Sequence, residues 1–464
     1  MIMNRRQSLK AMGLFASPLI FSKYQPLNNA ASLMRKDFGD NFLWGVATAS
    51  FQNEGAVAED GKSLSIWDTF SHQKGKIKTG ENADISCDFY HQYEQDLELL
   101  KSLGMSTFRF SLSWTRLIPN GTGEINQKGI DFYNKLIDKC LSLDILPFIT
   151  LYHWDLPQIL EDKGGWTNRE IINWFSNYVE VCTNAFGGKV KNWMIMNEPF
   201  SFTGLGYFSG YHAPGRKGVN SFLAAVHHTT ICQAEGGRIV RKNVKNANIG
   251  TTFSCSYIYP QSSSKKDIKA AKRMDALYNR LFIEPSLGLG YPKDDFKALG
   301  KIEEKFAQEG DMEKLEFDFD FIGLQNYYQI EVEHTLFPPI LWAKEVKREW
   351  FADGMYKIIK QFEKYEGIKK FIITENGFPL DGKSFEYQME DTERIKQFEA
   401  FLSQILKAKQ EGVKIDGYLV WTLTDNFEWS EGYNPRMGLI HIDYATQKRT
   451  IKGAGHWFKQ LLLG

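Results

Sequence analysis

Eight short apolar runs, at residues 42–47, 107–113, 146–152, 190–196, 249–254, 319–326, 371–374 and 417–422, alternate along this chain with longer stretches of helical period. Consecutive β-favouring residues, as in Phe371-Ile372-Ile373, suit strands covered on both faces. Between the runs, Ile130, Tyr133, Ile137 and Cys140 recur at steps of three and four, as do Ile395, Phe398, Leu402 and Ile405. Each such segment therefore presents one apolar helical face. Eight strand–helix units imply an α/β fold, a single closed (β/α)8 TIM barrel rather than an open sheet. A chain of 464 residues could hold three domains at about 150 residues each, but barrels break that rule. No Pro-rich or Gly/Ser-rich linker and no repeat divides it, so residues 38–464 read as one domain.

Residues 1–31 read as an address rather than as fold. Arg5, Arg6 and Lys10 precede a modestly apolar run from Ala11 to Phe21, and Asn29-Ala30-Ala31 is an imperfect cleavage site. Asn4-Arg5-Arg6-Gln7-Ser8-Leu9-Lys10 resembles a twin-arginine export signal, departing from it at Asn4 and Ser8. The run is too short to stay in a bilayer as a spanning helix. The expectation is export to the periplasm with no stable membrane anchor, or a cytoplasmic protein if the signal is not used.

In such a barrel the chemistry gathers at the carboxyl ends of the strands. Here those ends carry Gln52 and Glu54, Arg109 and Trp114, His153 and Trp154, Asn197 and Glu198, Asn326 and Tyr328, Glu375, and Trp421 followed by Glu428 and Trp429. Glu198 closes Trp193-Met194-Ile195-Met196-Asn197 before Pro199, and Glu375 closes Phe371-Ile372-Ile373-Thr374 before Asn376-Gly377. Gly377 is the residue expected to let the chain turn sharply. Several partner classes are disfavoured. Lys+Arg and Asp+Glu are both 56, so no broad positive field exists to hold nucleic acid. The five cysteines form no CxxC pair and the histidines no HExxH, so neither a disulfide framework nor a metal site is indicated. No Gly-rich phosphate loop calls for a nucleotide, and no cofactor is implied. Amides, an imidazole, carboxylates and flat indoles suit an uncharged polyol with apolar faces, and a sugar fits best. Two carboxylates flanking a glycosidic bond can divide attack and proton donation between them. At about 5 to 5.5 Å apart they work by double displacement with retained configuration.

The ordered set Phe42-Leu43-Trp44-Gly45, Gln52-Asn53-Glu54-Gly55, Phe108-Arg109-Phe110-Ser111, Tyr152-His153-Trp154-Asp155-Leu156-Pro157, Asn197-Glu198-Pro199, Asn326-Tyr327-Tyr328, Thr374-Glu375-Asn376-Gly377 and Asp425-Asn426-Phe427-Glu428-Trp429 resembles glycoside hydrolase family 1, the β-glucosidase family. The resemblance runs from Phe38 to the carboxyl terminus and marks residues 38–464 as a catalytic domain. It implies Glu198 as general acid/base, Glu375 as nucleophile, and Arg109 and Tyr328 as supports of the nucleophile. It implies substrate contacts from Gln52, His153, Trp154, Asn197, Asn326, Tyr328, Trp421, Glu428 and Trp429, with Asn197 on the 2-hydroxyl and Trp421 as the stacking floor. Glu428 with Trp429 points to a non-phosphorylated sugar, because the branch acting on 6-phosphosugars lacks a carboxylate there. Glu198 argues against the thioglucosidase branch, which has Gln at that position.

The implied activity is that of a retaining, exo-acting β-glucosidase acting on small β-glycosides, with β-galactosides and β-fucosides as further candidates. A transglycosylase would use the same two carboxylates. A sugar-binding barrel without catalysis would be expected to lose one of them, and both are present. Three departures from the family pattern stand out: Asn53 for the usual Ile, Met437 for a common Phe, and a short connection from Tyr328 to Trp350. Met437 is expected to loosen the wall near the sugar 6-position, and the short connection to open the aglycone entrance.

Overall fold

The computed structural model describes residues 33–336, 347–349 and 351–464. Eight parallel strands close a barrel: β1 (Leu43–Ala47), β2 (Thr107–Ser111), β3 (Leu146–Tyr152), β4 (Asn192–Asn197), β5 (Asn248–Ser254), β6 (Phe321–Gln325), β7 (Phe371–Asn376) and β8 (Ile415–Trp421). Each pairs with its neighbours in sequence, and β1 pairs with β8 to close the ring. Every expected strand is found, with ends displaced by a few residues. β2 stops at Ser111, just before the short helix Trp114–Leu117, and β7 runs on through Glu375 and Asn376.

The principal helices are α1 (Phe89–Ser102), α2 (Gln127–Ser142), α3 (Ile171–Phe186), α4 (Val219–Asn243), α5 (Lys265–Asp275), α6 (Asp353–Phe362), α7 (Thr392–Gln410) and α8 (Gly453–Leu463). The periodic residues do face inward: Ile130, Tyr133, Ile137 and Cys140 of α2 are buried, as are Phe398, Leu402 and Ile405 of α7. Burial of this kind stabilises by about 1.5–3 kcal/mol per large apolar side chain. It is what holds the helices against the strands.

Inside the barrel, Phe148, Met194, Phe321, Ile372 and Leu419 meet from different strands and pack with Leu43. This apolar plug makes the lumen a core rather than a pore, and polar side chains occupy the strand ends beyond it. A small sheet of Ile258–Pro260, Gln329–Val332 and Lys347–Glu349 stands apart from the barrel strands, as does a hairpin of Ile440–Asp443 and Lys448–Ile451. Gly377 is required by crowding: a Cβ there would lie 1.9 Å from the Trp421 carbonyl oxygen. Among the described residues the five cysteines are free and buried, and no helix is long and apolar enough to cross a membrane. The expected export segment, residues 1–31, and part of the connection from Tyr328 to Trp350 lie outside the described residues.

Candidate active site

Strict alternation would not bring both acids to the same space. Met194 and Ile372 point into the lumen, so Asn197 and Glu375, an odd number of residues later, should point away. Each strand carries an irregularity that corrects this. On β4 the pairing with β5 passes from Met194↔Gly250 to Asn197↔Thr252, and on β7 the pairing with β6 passes from Ile373↔Leu324 to Glu375↔Gln325. One extra residue is inserted in each case, as in a β-bulge, and the next side chain is re-aimed. Glu198 follows in a left-handed conformation, φ 44°, just before the short helix Pro199–Phe202.

Arg109 of β2 is fully buried, and its side chain reaches residues of β3, β4 and β7. Its Nη1 donates to Glu375 Oε1, its Nη2 to Asn197 Oδ1 at 2.5 Å, and its Nε to Thr150 Oγ1 at 2.9 Å. Tyr327 donates to the other oxygen, Glu375 Oε2, at 2.7 Å. Here the structure corrects the sequence reading, which gave this contact to Tyr328. The Tyr328 hydroxyl is instead 3.2 Å from that of Tyr278. Phe321, Gln325 and Tyr327 share a face by period two, whereas Tyr328 falls on the other. Asn326 is held by the backbone. Its Nδ2 braces the rim by donating to the carbonyls of Cys255, at 2.8 Å, and Tyr328, at 3.2 Å, while its Oδ1 is buried without a partner. Glu54 and Trp114, also rim candidates, belong to packing: Glu54 pairs with Arg116 and Tyr133, and Trp114 stacks on Tyr178.

Glu198 and Glu375 are 8% and 4% exposed. Burial, and then the neighbouring Glu375 charge, push the Glu198 carboxyl up to about 8, with Ser201 and Ser254 opposing. Burial also raises Glu375, against the opposing pull of Arg109 and the Tyr327 hydroxyl. Glu198, lacking a cation in contact, is therefore the one that holds a proton near neutrality.

Gln52 donates through Nε2 to Glu428 Oε2 at 3.2 Å and to the Phe427 carbonyl at 3.0 Å, leaving its buried Oε1 without a partner. Burial, and then Glu375, push Glu428 up to about 8. Behind this loop the buried Lys452 ammonium donates to Asp425 at 2.6 Å. The Asn197 amide nitrogen is 2.9 Å from His153 Nε2, and Asn197 Oδ1 also accepts from Gln325 at 2.9 Å and Thr252 at 3.2 Å. Burial and then Arg109 push the His153 imidazole well down, so it is neutral, and its Nδ1 is buried without a partner. His153 is roughly parallel to both Trp421 and Trp429, each 5.9 Å away. Trp154 packs on Trp429 at 4.5 Å and donates its indole N–H to the Asn197 carbonyl at 2.9 Å.

The structure thus gathers Arg109, His153, Asn197 and Glu375 in one contact network, with Gln52 and Glu428 paired and Trp154, Trp421 and Trp429 packed around His153. The sequence reading missed Tyr327, Gln325, Thr150 and Thr252. Alternation along β6, from Phe321 through Gly323 to Gln325 and Tyr327, was the available signal for two of them. Met437 is buried against Trp421, Ala47 and Ala49, and both polar atoms of buried Asn53 lack partners. Among the described residues no group of three His, Cys, Asp or Glu could hold a metal.

Such a site pairs an ionisable carboxylate held by a cation with a protonated one, beside amides and indoles. The glycosyl hydrolase family 1 model matches residues 34–463. Beta-glucosidase A of Thermotoga maritima is 41% identical over 92% of this chain and 98% of its own length. Beta-glucosidase A of Acetivibrio thermocellus is 38% identical over the same shares. A solved family 1 β-glucosidase of Thermotoga maritima superposes with a TM-score of 0.87 at 39% identity, covering 93% of this chain and 99% of that one. The same organism's β-glucosidase in complex with glucoimidazole gives 0.85 at 39% identity, over 92% and 98%. Matched along almost its entire described length, the chain belongs to glycosyl hydrolase family 1.

Proposed function

We propose that this protein is a retaining, exo-acting β-glucosidase that hydrolyses non-phosphorylated β-glucosides and short oligosaccharides, with β-galactosides and β-fucosides as further substrates. The observation that carries the reading is the contrast between Glu375, engaged by Arg109 and Tyr327, and Glu198, whose carboxyl is pushed up to about 8. The names of the relatives, Beta-glucosidase A and 1,4-beta-D-glucan glucohydrolase, support the substrate class.

Glu375 attacks the anomeric carbon as the glycosidic C–O bond breaks, and Glu198 gives its proton to the departing oxygen. A covalent glycosyl ester results. Esterification removes the Glu375 charge, so Glu198 acidifies and takes a proton from the water that attacks the anomeric carbon. The ester bond breaks, releasing the sugar with its original configuration. Asn197 serves the 2-hydroxyl, where contacts tighten in the oxocarbenium-like transition state. Glu428, bonded to Gln52 rather than to a cation, offers no positive charge to hold a 6-phosphate.

A panel of aryl β-glycosides that includes a 6-phosphoglucoside, with NMR of the first-formed anomer, tests the reading. Release of β-glucose first, with the phosphorylated compound spared, is expected. A first-formed α-anomer would overturn retention. Product analysis at high acceptor concentration separates hydrolysis from transglycosylation. Export through residues 1–31 is part of the proposal, supported by Arg5-Arg6 ahead of the apolar run. Cell fractionation and sequencing of the mature amino terminus would check it, and an intact cytoplasmic chain would refute it.

A further inference from the structure

Beneath the sugar-facing arms lies a buried polar bracket that the proposed chemistry does not use. Asp155 Oδ2 accepts from Ser50 Oγ at 3.0 Å. Ser111 Oγ accepts from the Ser50 backbone N–H at 2.7 Å and donates to Ser50 Oγ at 3.1 Å. Ser50 stands two residues before Gln52, Ser111 ends β2, and Asp155 stands two residues after His153. The bracket therefore ties together the tips of β1, β2 and β3, three adjacent strands.

Two features set Asp155 apart from an ordinary packing residue. It is buried, and its second oxygen, Oδ1, has no hydrogen-bond partner, a placement that is unfavourable for a carboxyl group. It also lines a small internal cavity with Glu54, Lys62, Asp68, Ser113 and Thr115, where the Lys62 and Asp68 side chains pair at 2.9 Å. Next to it Trp154 has a φ of 78°, a conformation unfavourable for a bulky residue unless its surroundings enforce it. On one side Trp154 is held by its indole bond to the Asn197 carbonyl, and on the other the chain is held by the bond between Asp155 and Ser50.

We infer that Asp155, acting through Ser50, is a positioning residue that sets the spacing between the Gln52 arm and the His153–Trp154 arm, and thereby the affinity for the bound sugar. This rests on the sugar-site reading above. A 1 Å misplacement of such arms is enough to weaken binding and turnover substantially.

The full chain carrying Asp155→Ala, Asp155→Asn or Ser50→Ala would be compared with wild type for glucoimidazole affinity by calorimetry, for KM and kcat on an aryl β-glucoside, and for thermal unfolding. Asp155→Ala is expected to weaken glucoimidazole by about tenfold and to raise KM more than it lowers kcat, with Ser50→Ala moving both by about threefold. Asp155→Asn keeps an acceptor oxygen for Ser50 and should restore affinity to within about twofold of wild type. Lower thermal stability with unchanged affinity and KM in both alanine variants would show a purely structural role and overturn the inference. So would an Asp155→Asn no better than Asp155→Ala. If Asp155→Ala does not fold, Ser50→Ala decides: wild-type affinity there overturns the proposal. Failure of wild-type protein to bind glucoimidazole would instead defeat the sugar-site reading itself, and this inference with it.

Discussion

Glu198 and Glu375 come from the ends of β4 and β7, separated around the barrel by β5 and β6, both nearly excluded from water and both delivered by a strand irregularity. They differ in company. Glu375 has one oxygen on the Arg109 guanidinium and the other on the Tyr327 hydroxyl, while Glu198 is approached by the hydroxyls of Ser201 and Ser254. Burial pushes both carboxyls upward, and only at Glu375 does a cation in contact oppose it. Depth alone therefore does not separate the proposed acid from the proposed nucleophile. The partner does.

The contrast can be broken most severely at Glu375. Glu375→Gly should lower kcat by about 10⁴-fold or more while leaving thermal unfolding close to wild type. Added azide should yield an inverted glycosyl azide, read by NMR, and wild-type turnover in this variant would end the nucleophile assignment. Next in size, Glu198→Ala should lose about 10²- to 10⁴-fold on substrates with poor leaving groups, and less on activated aryl glycosides. Azide should here give a glycosyl azide of retained configuration, because the covalent intermediate still forms. The pH profile of kcat/KM follows the same logic. Glu198 must be protonated, so wild-type activity should fall as pH rises through about 8, and that limb should vanish in Glu198→Ala.

A smaller effect is expected at the cation. Arg109→Met leaves Glu375 buried without its partner, so the acidic limb, where Glu375 must be ionised, should move to higher pH. The rate should fall by about 10²-fold. An acidic limb that stays in place would show that Arg109 does not control Glu375. The finest comparison is between neighbours: Tyr327→Phe should reduce kcat/KM by about tenfold and Tyr328→Phe by no more than about twofold. Equal effects in initial-rate assays would contradict the assignment of the Glu375 contact to Tyr327.

That last pair also shows how the sequence could mislead. Two tyrosines in a row let a motif be read with a one-residue slip, and the slip gave the Glu375 contact to Tyr328 instead of Tyr327. Alternation was itself an unsafe guide on β4 and β7, where an extra residue reverses it just before Asn197 and Glu375. Nor could it distinguish a rim residue that faces the pocket from one that faces the wall. Glu54 and Trp114 follow β1 and β2 closely, as Gln52 follows β1, yet they turn toward Arg116 and Tyr178.

The chain alone determined the number and order of the strands and the inward faces of α2 and α7. Apolar spacing is a local property, and burial rewards only one periodic face of each element. It also placed the acids, the amides and the indoles at strand ends. The tertiary structure decided which of those side chains meet, because contacts between Arg109 and Glu375, or Ser50 and Asp155, join residues far apart in sequence. It also decided where the proton rests, since that depends on burial and on a cation supplied by a different strand.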